Sequence, residues 1–365
     1  MRDGTRANLG PDPAVERASK RARWDRGSPG ANGGVNAGTD RGGATYAALD
    51  LGTNNCRLLV ARPTADGFRV VDAFSRIIRL GEGIGASGRI SEAASARAVM
   101  ALSICRDKMK NKGVTRARLI ATEACRAAEN GGEFRERIAQ EVGLDLEIIG
   151  RETEAMLAAT GCTPLIDPQA SGVVLFDIGG GSSELVRLDR SPAVRQGPPL
   201  PRVRGWISLP HGVVTLAERY GGRLISRETY EAMIAEIAAM LAPFVAAHGA
   251  ALAGVDLLGT SGTVTTIAGL HLDLKRYERS RVDGCWMTAD EISIVNEKLL
   301  AMSYEERVAS PCIGADRADL VLAGCAILDA IRRSFPCPRL RVADRGLREG
   351  MLVSMMREDS VWGAP

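Results

Sequence analysis

The sequence predicts an α/β protein in which one structural unit is used twice, the two copies facing each other across a cleft. Three observations carry this. Short apolar runs of strand character alternate with helical stretches along most of the chain. Two of those runs end in matching turns, Asp50-Leu51-Gly52 and Asp177-Ile178-Gly179, 127 residues apart. Each turn then feeds a second apolar run, with Arg57 and Glu184 each seven residues beyond their aspartate.

The elements follow in order. Thr45–Leu49 and Cys56–Ala61 read as strands joined by the tight polar turn Asp50–Asn55, and Phe68–Phe74 and Arg76–Leu80 as two further strands. Ser91 is a good N-cap, so a helix is expected from there to about Lys112, before Gly113. Leu119–Thr122 reads as a strand, Asn130–Val142 as a helix, Leu146–Ile149 as a strand and Glu152–Gly161 as an alanine-rich helix. The second copy opens with the strands Gly172–Phe176 and Leu185–Leu188, followed by a Pro/Arg loop over Arg190–Gly205. Helices over Arg227–His248, Ala289–Met302 and Arg317–Ser334 then alternate with strands at Ile207–Leu209, Val255–Gly259 and Leu340–Ala343. The boundaries expected from this are a tail over residues 1–43, a first domain over 44–166 and a second over 167–358. A length of 365 residues suits two domains at roughly 100–200 residues each.

Composition narrows the function classes. Residues 1–43 hold nine glycines and almost no aliphatic side chains, so they bury too little to offset the entropy of ordering and are expected to be disordered. Their eight basic and five acidic residues carry a balance of +3, equal to that of the whole chain, and leave 39 against 39 elsewhere. The tail is either a solvated flexible segment or an arm that recruits polyanions. So small a net charge makes no case for specific nucleic-acid binding. The eight cysteines contain no CxxC, and scattered single cysteines suit a reducing cytoplasm. Only three histidines are present, against a histidine-based metal site. The most apolar stretch, Ile237–Ala247, is about half the ~20 residues needed to span a bilayer, and the N-terminus lacks the apolar core of a secretory signal, so no membrane is expected.

The turns carry the chemistry. Gly179, Gly180 and Gly181 leave backbone N–H groups open to a ligand, and Ser182 and Ser183 add hydroxyls, the makings of an anion-binding nest. A plain glycine hairpin with surface acids is the bland alternative. Asp177 and Glu184 flank this nest. They would repel a phosphate unless a hard cation such as Mg²⁺ lies between, or unless they hold a water. The first turn adds Thr53, Asn54, Asn55 and Arg57. Arg57 is a cation in an apolar strand, so it needs either a phosphate or a structural ion pair. A third strand-to-helix turn, with Gly259, Thr260, Ser261, Gly262 and Thr263, is a further anion candidate. Gly83-Ile84-Gly85-Ala86-Ser87-Gly88 spells GxGxxG but lacks a clean βαβ unit, and is set aside as a dinucleotide fingerprint.

These three turns, together with Ala121–Asn130, Glu152–Leu157, Ser208–Gly212 and Asp344–Gly350, resemble the exopolyphosphatase/guanosine pentaphosphate phosphatase family over about residues 45–355. The resemblance implies two duplicated ribonuclease-H-like domains of the actin/Hsp70/sugar-kinase superfamily, in the short two-domain form. It implies release of terminal phosphate from polyphosphate, or of the 5′-phosphate of guanosine pentaphosphate, with Mg²⁺ or another divalent cation as cofactor. Glu154 would activate the attacking water. Asp177 and Glu184 would place the metal, with Asp50 as a further ligand candidate, and Arg126 would contact substrate phosphate. The partner implied is the phosphate substrate, and a homodimer is the one assembly the resemblance raises. Where the family often carries an arginine, this chain has Met156. An ATP-dependent small-molecule kinase of the same superfamily and a non-catalytic polyphosphate or alarmone sensor are the rival readings.

Overall fold

Two twisted sheets, each opening on a three-strand antiparallel meander, form the frame. A computed structural model describes residues 43–190, 196–250 and 252–363. Residues 1–42 of the expected tail lie outside them. The described residues from Gly43 onward belong to one compact unit.

The first half runs β1 (Tyr46–Leu51), β2 (Asn55–Thr64), β3 (Gly67–Ile77), α1 (Ile84–Ser87), α2 (Glu92–Asn111), β4 (Arg116–Ala121), α3 (Glu123–Ala127), α4 (Gly131–Val142), β5 (Glu147–Ile148) and α5 (Arg151–Cys162). The second runs β6 (Gly172–Ile178), β7 (Ser183–Asp189), β8 (Arg202–Leu209), α6 (Val213–Tyr220), α7 (Arg227–His248), β9 (Val255–Thr260), α8 (Gly262–His271), α9 (Arg279–Val282), β10 (Trp286–Thr288), α10 (Ala289–Ala301), α11 (Tyr304–Ala309), α12 (Val321–Ser334), β11 (Arg339–Ala343) and α13 (Leu347–Glu358).

Sheet order in the first half is β3-β2-β1-β4-β5, with β4 parallel to β1 and β5 parallel to β4. In the second it is β8-β7-β6-β9-β11, with β9 and β11 parallel to their inner neighbours and β10 an added antiparallel edge. The strand order 3-2-1-4-5 thus occurs twice, which is the ribonuclease-H-like arrangement duplicated. β1 and β6 are apolar and buried because each is flanked by strands and covered on both faces. Local signals set the helix starts: Ser91 Oγ accepts from Ala94 N–H (3.2 Å) and Ser226 Oγ from Thr229 N–H (3.0 Å).

The last helix of each half lies on the other half's sheet. Ala155, Ala159 and Cys162 of α5 pack with Val173, Leu175, Val186 and Leu188. Met351, Leu352, Met355 and Met356 of α13 pack with Tyr46, Ala48, Leu59 and Ala61. The two helices meet backbone to backbone. A methyl on Gly161 would lie 1.9 Å from Gly346 O, and one on Gly350 1.9 Å from Leu157 O. Only glycine permits this crossing.

Four expectations are corrected. Phe68–Phe74 runs on through Ser75 to Ile77 as one strand, β3, while Ile78–Leu80 of the expected second strand are not strand; Ser75 is tolerated because β3 is an edge strand whose polar residues face solvent. The expected Arg190–Gly205 loop yields β8 from Arg202, another edge strand whose Arg202 and Arg204 are exposed; residues 191–195 lie outside the described set. Ile237–Ala247 belongs to α7, 22 residues long and continuous through Pro243, which by length and composition alone could cross a membrane. Its Tyr230, Met233, Ile237, Leu241 and Phe244 are nonetheless in the second-half core. Finally, helix α12 begins at Val321, leaving Arg317 in the segment that leads into it.

Candidate active site

The seven-residue spacing is a register. Asp50 pairs directly with Arg57 across β1–β2, and Asp177 with Glu184 across β6–β7, so each pair shares one face of its sheet. The turns between them are closed by Gly52 N–H to Asn55 O and by Gly179 N–H to Ser182 O, both 2.9 Å. The first turn is braced from outside by Ile78 and Arg79 N–H groups on Asn54 O, and the second by Val213 and Val214 N–H groups on the Gly179 and Gly180 carbonyls.

The two turns touch. A methyl on Gly180 would lie 2.9 Å from Thr53 Cβ, and one on Gly181 2.8 Å from Thr53 Oγ1 and 3.0 Å from Glu123 Cγ. Gly180 and Gly181 are therefore required sterically by the opposing turn, whereas a methyl on Gly179 would meet Ser182 O of its own turn at 2.7 Å; these are steric causes beside the ligand access expected from the sequence.

Four carboxyl groups lie near enough around this contact to influence one another's protonation. Burial pushes Asp177 up to about 6, against the pull of Arg57 and with a further push from Asp50. Glu184, 3% exposed, is pushed up to about 7 by burial and by Asp177, although Ser208 Oγ donates to its Oε1 at 2.7 Å. Glu154, in the first turn of α5, is raised well above the carboxylate range by burial, then Glu184, with Asp50 and Asp177 adding. Asp50 is raised by burial as well.

Arg126 is engaged by protein groups. It donates to Glu123 Oε2 (2.9 Å through Nε), to Ile149 O (2.6 Å) and to Glu154 Oε2 (3.2 Å). Arg151 clasps the same Glu123, with 2.7 Å to Oε1. In this arrangement Arg126 orients Glu154, leaving Glu154 Oε1 free of side-chain donors. Met156 faces away, against the apolar seam of Ala155, Leu165 and Val173.

Beside the acids lies a cationic group that includes Arg57, the cross-strand neighbour of Asp50. Among the described residues, the guanidinium groups of Arg57, Arg317 and Arg348 have no hydrogen-bond or ion-pair partner. Burial, and repulsion by Arg57, lower the pKa of Arg317; burial, and the same Arg57, lower that of Arg348. A methyl on Gly262, at the start of α8, would be 3.5 Å from Arg317, so this guanidinium sits at that helix N-terminus. Close by, Ser261 Oγ is buried without a partner, on a backbone with φ 116°. Asn54 Oδ1 and Asn55 Oδ1 are likewise buried and unpartnered. Orphaned polar groups and uncompensated guanidinium groups in one cleft are the signature of a polar ligand.

The other sequence candidates sort by what they touch. Thr53 and Ser182 are buried at the turn contact. Ser183 Oγ donates to His211 O (2.8 Å) and Thr260 Oγ1 to Arg345 O (2.6 Å), so both hydroxyls are used inside the fold. Gly259 packs on the Phe176 ring, 2.5 Å from where a Cβ would be. Thr260 pairs with Asp177 across β6–β9, which brings the third turn to the same strand ends. Sequence reasoning missed Arg317, Arg348, Glu123 and Arg151. Arg348 stands inside the quoted Asp344–Gly350 motif, but nothing in spacing alone said that it would be buried beside Arg57. In the GxGxxG decoy, Gly83 N–H meets the Glu218 carboxylate at 2.9 Å.

No three His, Cys, Asp or Glu side chains among the described residues converge closely enough to hold a metal ion by themselves. The donor set nevertheless fits Mg²⁺, which is commonly held by one or two carboxylates, with waters and substrate phosphate oxygens completing its octahedron. Asp177 and Glu184, raised by burial, are carboxylates that a cation would neutralise.

Fold and site together define a duplicated α/β protein in which two touching turns bring a carboxyl cluster together with unpartnered arginines. The chain belongs to the Ppx/GppA phosphatase family, whose profile matches residues 59–359. It is similar to the Aquifex aeolicus member of that family, at 28% identity and TM-score 0.70, over 87% of this chain and 98% of that one. It is also similar to an exopolyphosphatase-like protein, at 27% identity and TM-score 0.76, over 86% and 99%. An exopolyphosphatase from Cytophaga hutchinsonii shares the fold at 22% identity and TM-score 0.77, over 86% and 98%. The family supports a phosphohydrolase of the exopolyphosphatase/GppA type.

Proposed function

We propose that the protein releases terminal phosphate from inorganic polyphosphate, or the 5′-phosphate of guanosine pentaphosphate, by in-line attack of water on the outer phosphorus. The observation that carries this reading is the unpartnered set of Arg57, Arg317 and Arg348 beside a carboxyl cluster at two touching turns. Phosphoryl transfer needs positioning and charge neutralisation above all. The three guanidinium groups and the amides at the start of α8 bind the phosphate oxygens. Asp177 and Glu184 would hold a divalent cation, which when bound neutralises phosphate charge and brings both carboxyl groups back to their ionised forms. Glu154 takes the proton of the attacking water at Oε1, while Arg126 fixes its Oε2. The bond from the outer phosphorus to its bridging oxygen breaks as the water oxygen bonds to phosphorus, the shortened chain leaves with the bridging oxygen, and the water proton ends on Glu154.

The test is phosphate release with Mg²⁺ from polyphosphate and from guanosine pentaphosphate. Glu154→Gln should lower kcat by about 10²–10⁴-fold, the range of a lost general base, with KM little changed. Release at the wild-type rate would remove Glu154 from the reaction. ADP formation that depends on an added acceptor would point to a kinase, and tight binding without turnover to a sensor.

A further inference from the structure

We infer that Arg79 is a positioning residue that ties the first-half phosphate turn to Arg317 of the second half. This rests on the reading above of the cleft as a phosphate site. Arg79 follows β3 and has φ 46°, in the left-handed region that non-glycine residues seldom adopt. Its N–H donates to Asn54 O at 3.1 Å, bracing the turn that carries the orphaned Asn54 and Asn55 oxygens. Its own carbonyl is held by Arg97, at 3.1 Å.

The side chain crosses to the other half. Nη1 and Nη2 each lie 2.9 Å from one oxygen of Asp319, and Nη2 also donates to Asp316 O at 3.1 Å. Asp319 stands two residues beyond Arg317. It is backed by Gly222, where a methyl would lie 2.1 Å from Asp319 O. One residue thus contacts, on one side, the backbone of the Asn54 turn and, on the other, the short segment that presents Arg317 to the cleft.

A simple surface ion pair would not account for this. Exposed pairs are worth little and need no unusual backbone. Here the side chains are 30% and 24% exposed, the fork is bidentate, and the left-handed backbone is held by bonds from both directions. A backbone kept in such a state by its surroundings marks a place where geometry matters. The geometry at stake is the distance between the Asn54–Asn55 turn and Arg317, on which simultaneous contact with one phosphate depends. The bond from Gly83 N–H to Glu218 is a second tie between the same two sides.

Arg79→Gly is the informative change, because glycine accepts φ 46° without strain while the guanidinium is lost. The full chain is compared as wild type, Arg79→Gly, Asp319→Ala, the double variant and Arg79→Lys. Affinity for inorganic tripolyphosphate is measured by calorimetry in EDTA, and KM and kcat in Mg²⁺. Each single variant should weaken tripolyphosphate binding about tenfold and raise KM similarly, with kcat changed less, and the double should be no worse than either single. Arg79→Lys, with a charge but no fork, should recover only part. Single effects that add in the double variant, or unchanged affinity in Arg79→Gly, would overturn the inference. The calorimetric arm does not depend on turnover. If wild type binds tripolyphosphate but hydrolyses nothing, the catalytic reading fails while the positioning role is still decided.

Discussion

Metal-free protein should lose stability as pH rises through neutrality, and a divalent cation should restore it. The perturbation is titration of Asp177 and Glu184 in EDTA. Both carboxyl groups are raised in the folded state, to about 6 and about 7. In the unfolded chain they titrate near 3.9 and 4.3. The folded state therefore holds more protons between these values, and stability falls with pH over that window. The contribution is full below about pH 4 and is lost as pH passes through about 6 and then 7. At about 1.36 kcal/mol per pKa unit, the Glu184 displacement alone corresponds to about 4 kcal/mol. Because Asp177 is one of the causes that raise Glu184, the two contributions are not independent and the pair is worth less than twice that. At roughly 2 °C per kcal/mol for a chain of this size, melting in EDTA should fall by about 5–10 °C between pH 5 and pH 8. Differential scanning calorimetry over that range is the assay, with and without millimolar Mg²⁺. The cation should remove most of the fall at pH 8, and Glu184→Gln should flatten the EDTA curve. A melting temperature in EDTA that is flat or rising from pH 5 to 8 would refute the account of a strained carboxyl cluster.

Two other changes test the frame and the cationic group. Arg348→Met removes a half-buried guanidinium that has no partner and repels Arg57, so the fold should gain up to about 1 kcal/mol by denaturant titration while tripolyphosphate affinity drops at least about tenfold. Gly350→Ala would place a methyl 1.9 Å from Leu157 O, a backbone atom that cannot yield, so α5 and α13 must separate, at a cost of about 2–3 kcal/mol. Gly132→Ala in α4, with nothing within 4 Å of the added methyl, serves as control and should stabilise by about 0.5–1 kcal/mol.

What could be read from the sequence followed from local rules. Strands β1 and β6 are legible because central strands are continuous apolar runs, and the Asp50–Arg57 and Asp177–Glu184 spacing is legible because an antiparallel turn of fixed length fixes its cross-strand partners. The edge strands were less so. β3 and β8 face solvent, and Ser75, Arg202 and Arg204 disguise them as breaks or loop. In the site, glycines and carboxylates announced themselves by clustering. Arg317 and Arg348 did not, because their meaning lies in partners absent from the folded chain and in neighbours 31 and 260 or more residues away. Arg126 was read as a phosphate contact through resemblance, whereas its donors here go to Glu123, Ile149 and Glu154. No spacing rule distinguishes an arginine that touches substrate from one that orients a carboxylate.

The charge arrangement explains why such a cleft belongs in a fold that is otherwise formally neutral. The carboxyl cluster and the arginine cluster could have cancelled by pairing, as Arg339 pairs with Asp256 and Arg345 with Asp283 elsewhere in the second half. They do not. The register sets Asp177 beside Glu184, and although it sets Asp50 beside Arg57 no ion pair forms there, while Arg317 stands next to the α8 N-terminus without a carboxylate partner among the described residues. Each group alone is unfavourable, through burial and through repulsion among like charges. On the proposed function, a phosphate chain carrying a hard cation would supply the missing charge of both signs at once: oxygens for Arg57, Arg317 and Arg348, and the cation for Asp177 and Glu184. Phosphate alone would satisfy the arginines but meet the acids, and the cation alone would do the reverse. The cleft should therefore bind tripolyphosphate and Mg²⁺ cooperatively, each raising the affinity of the other by the same factor.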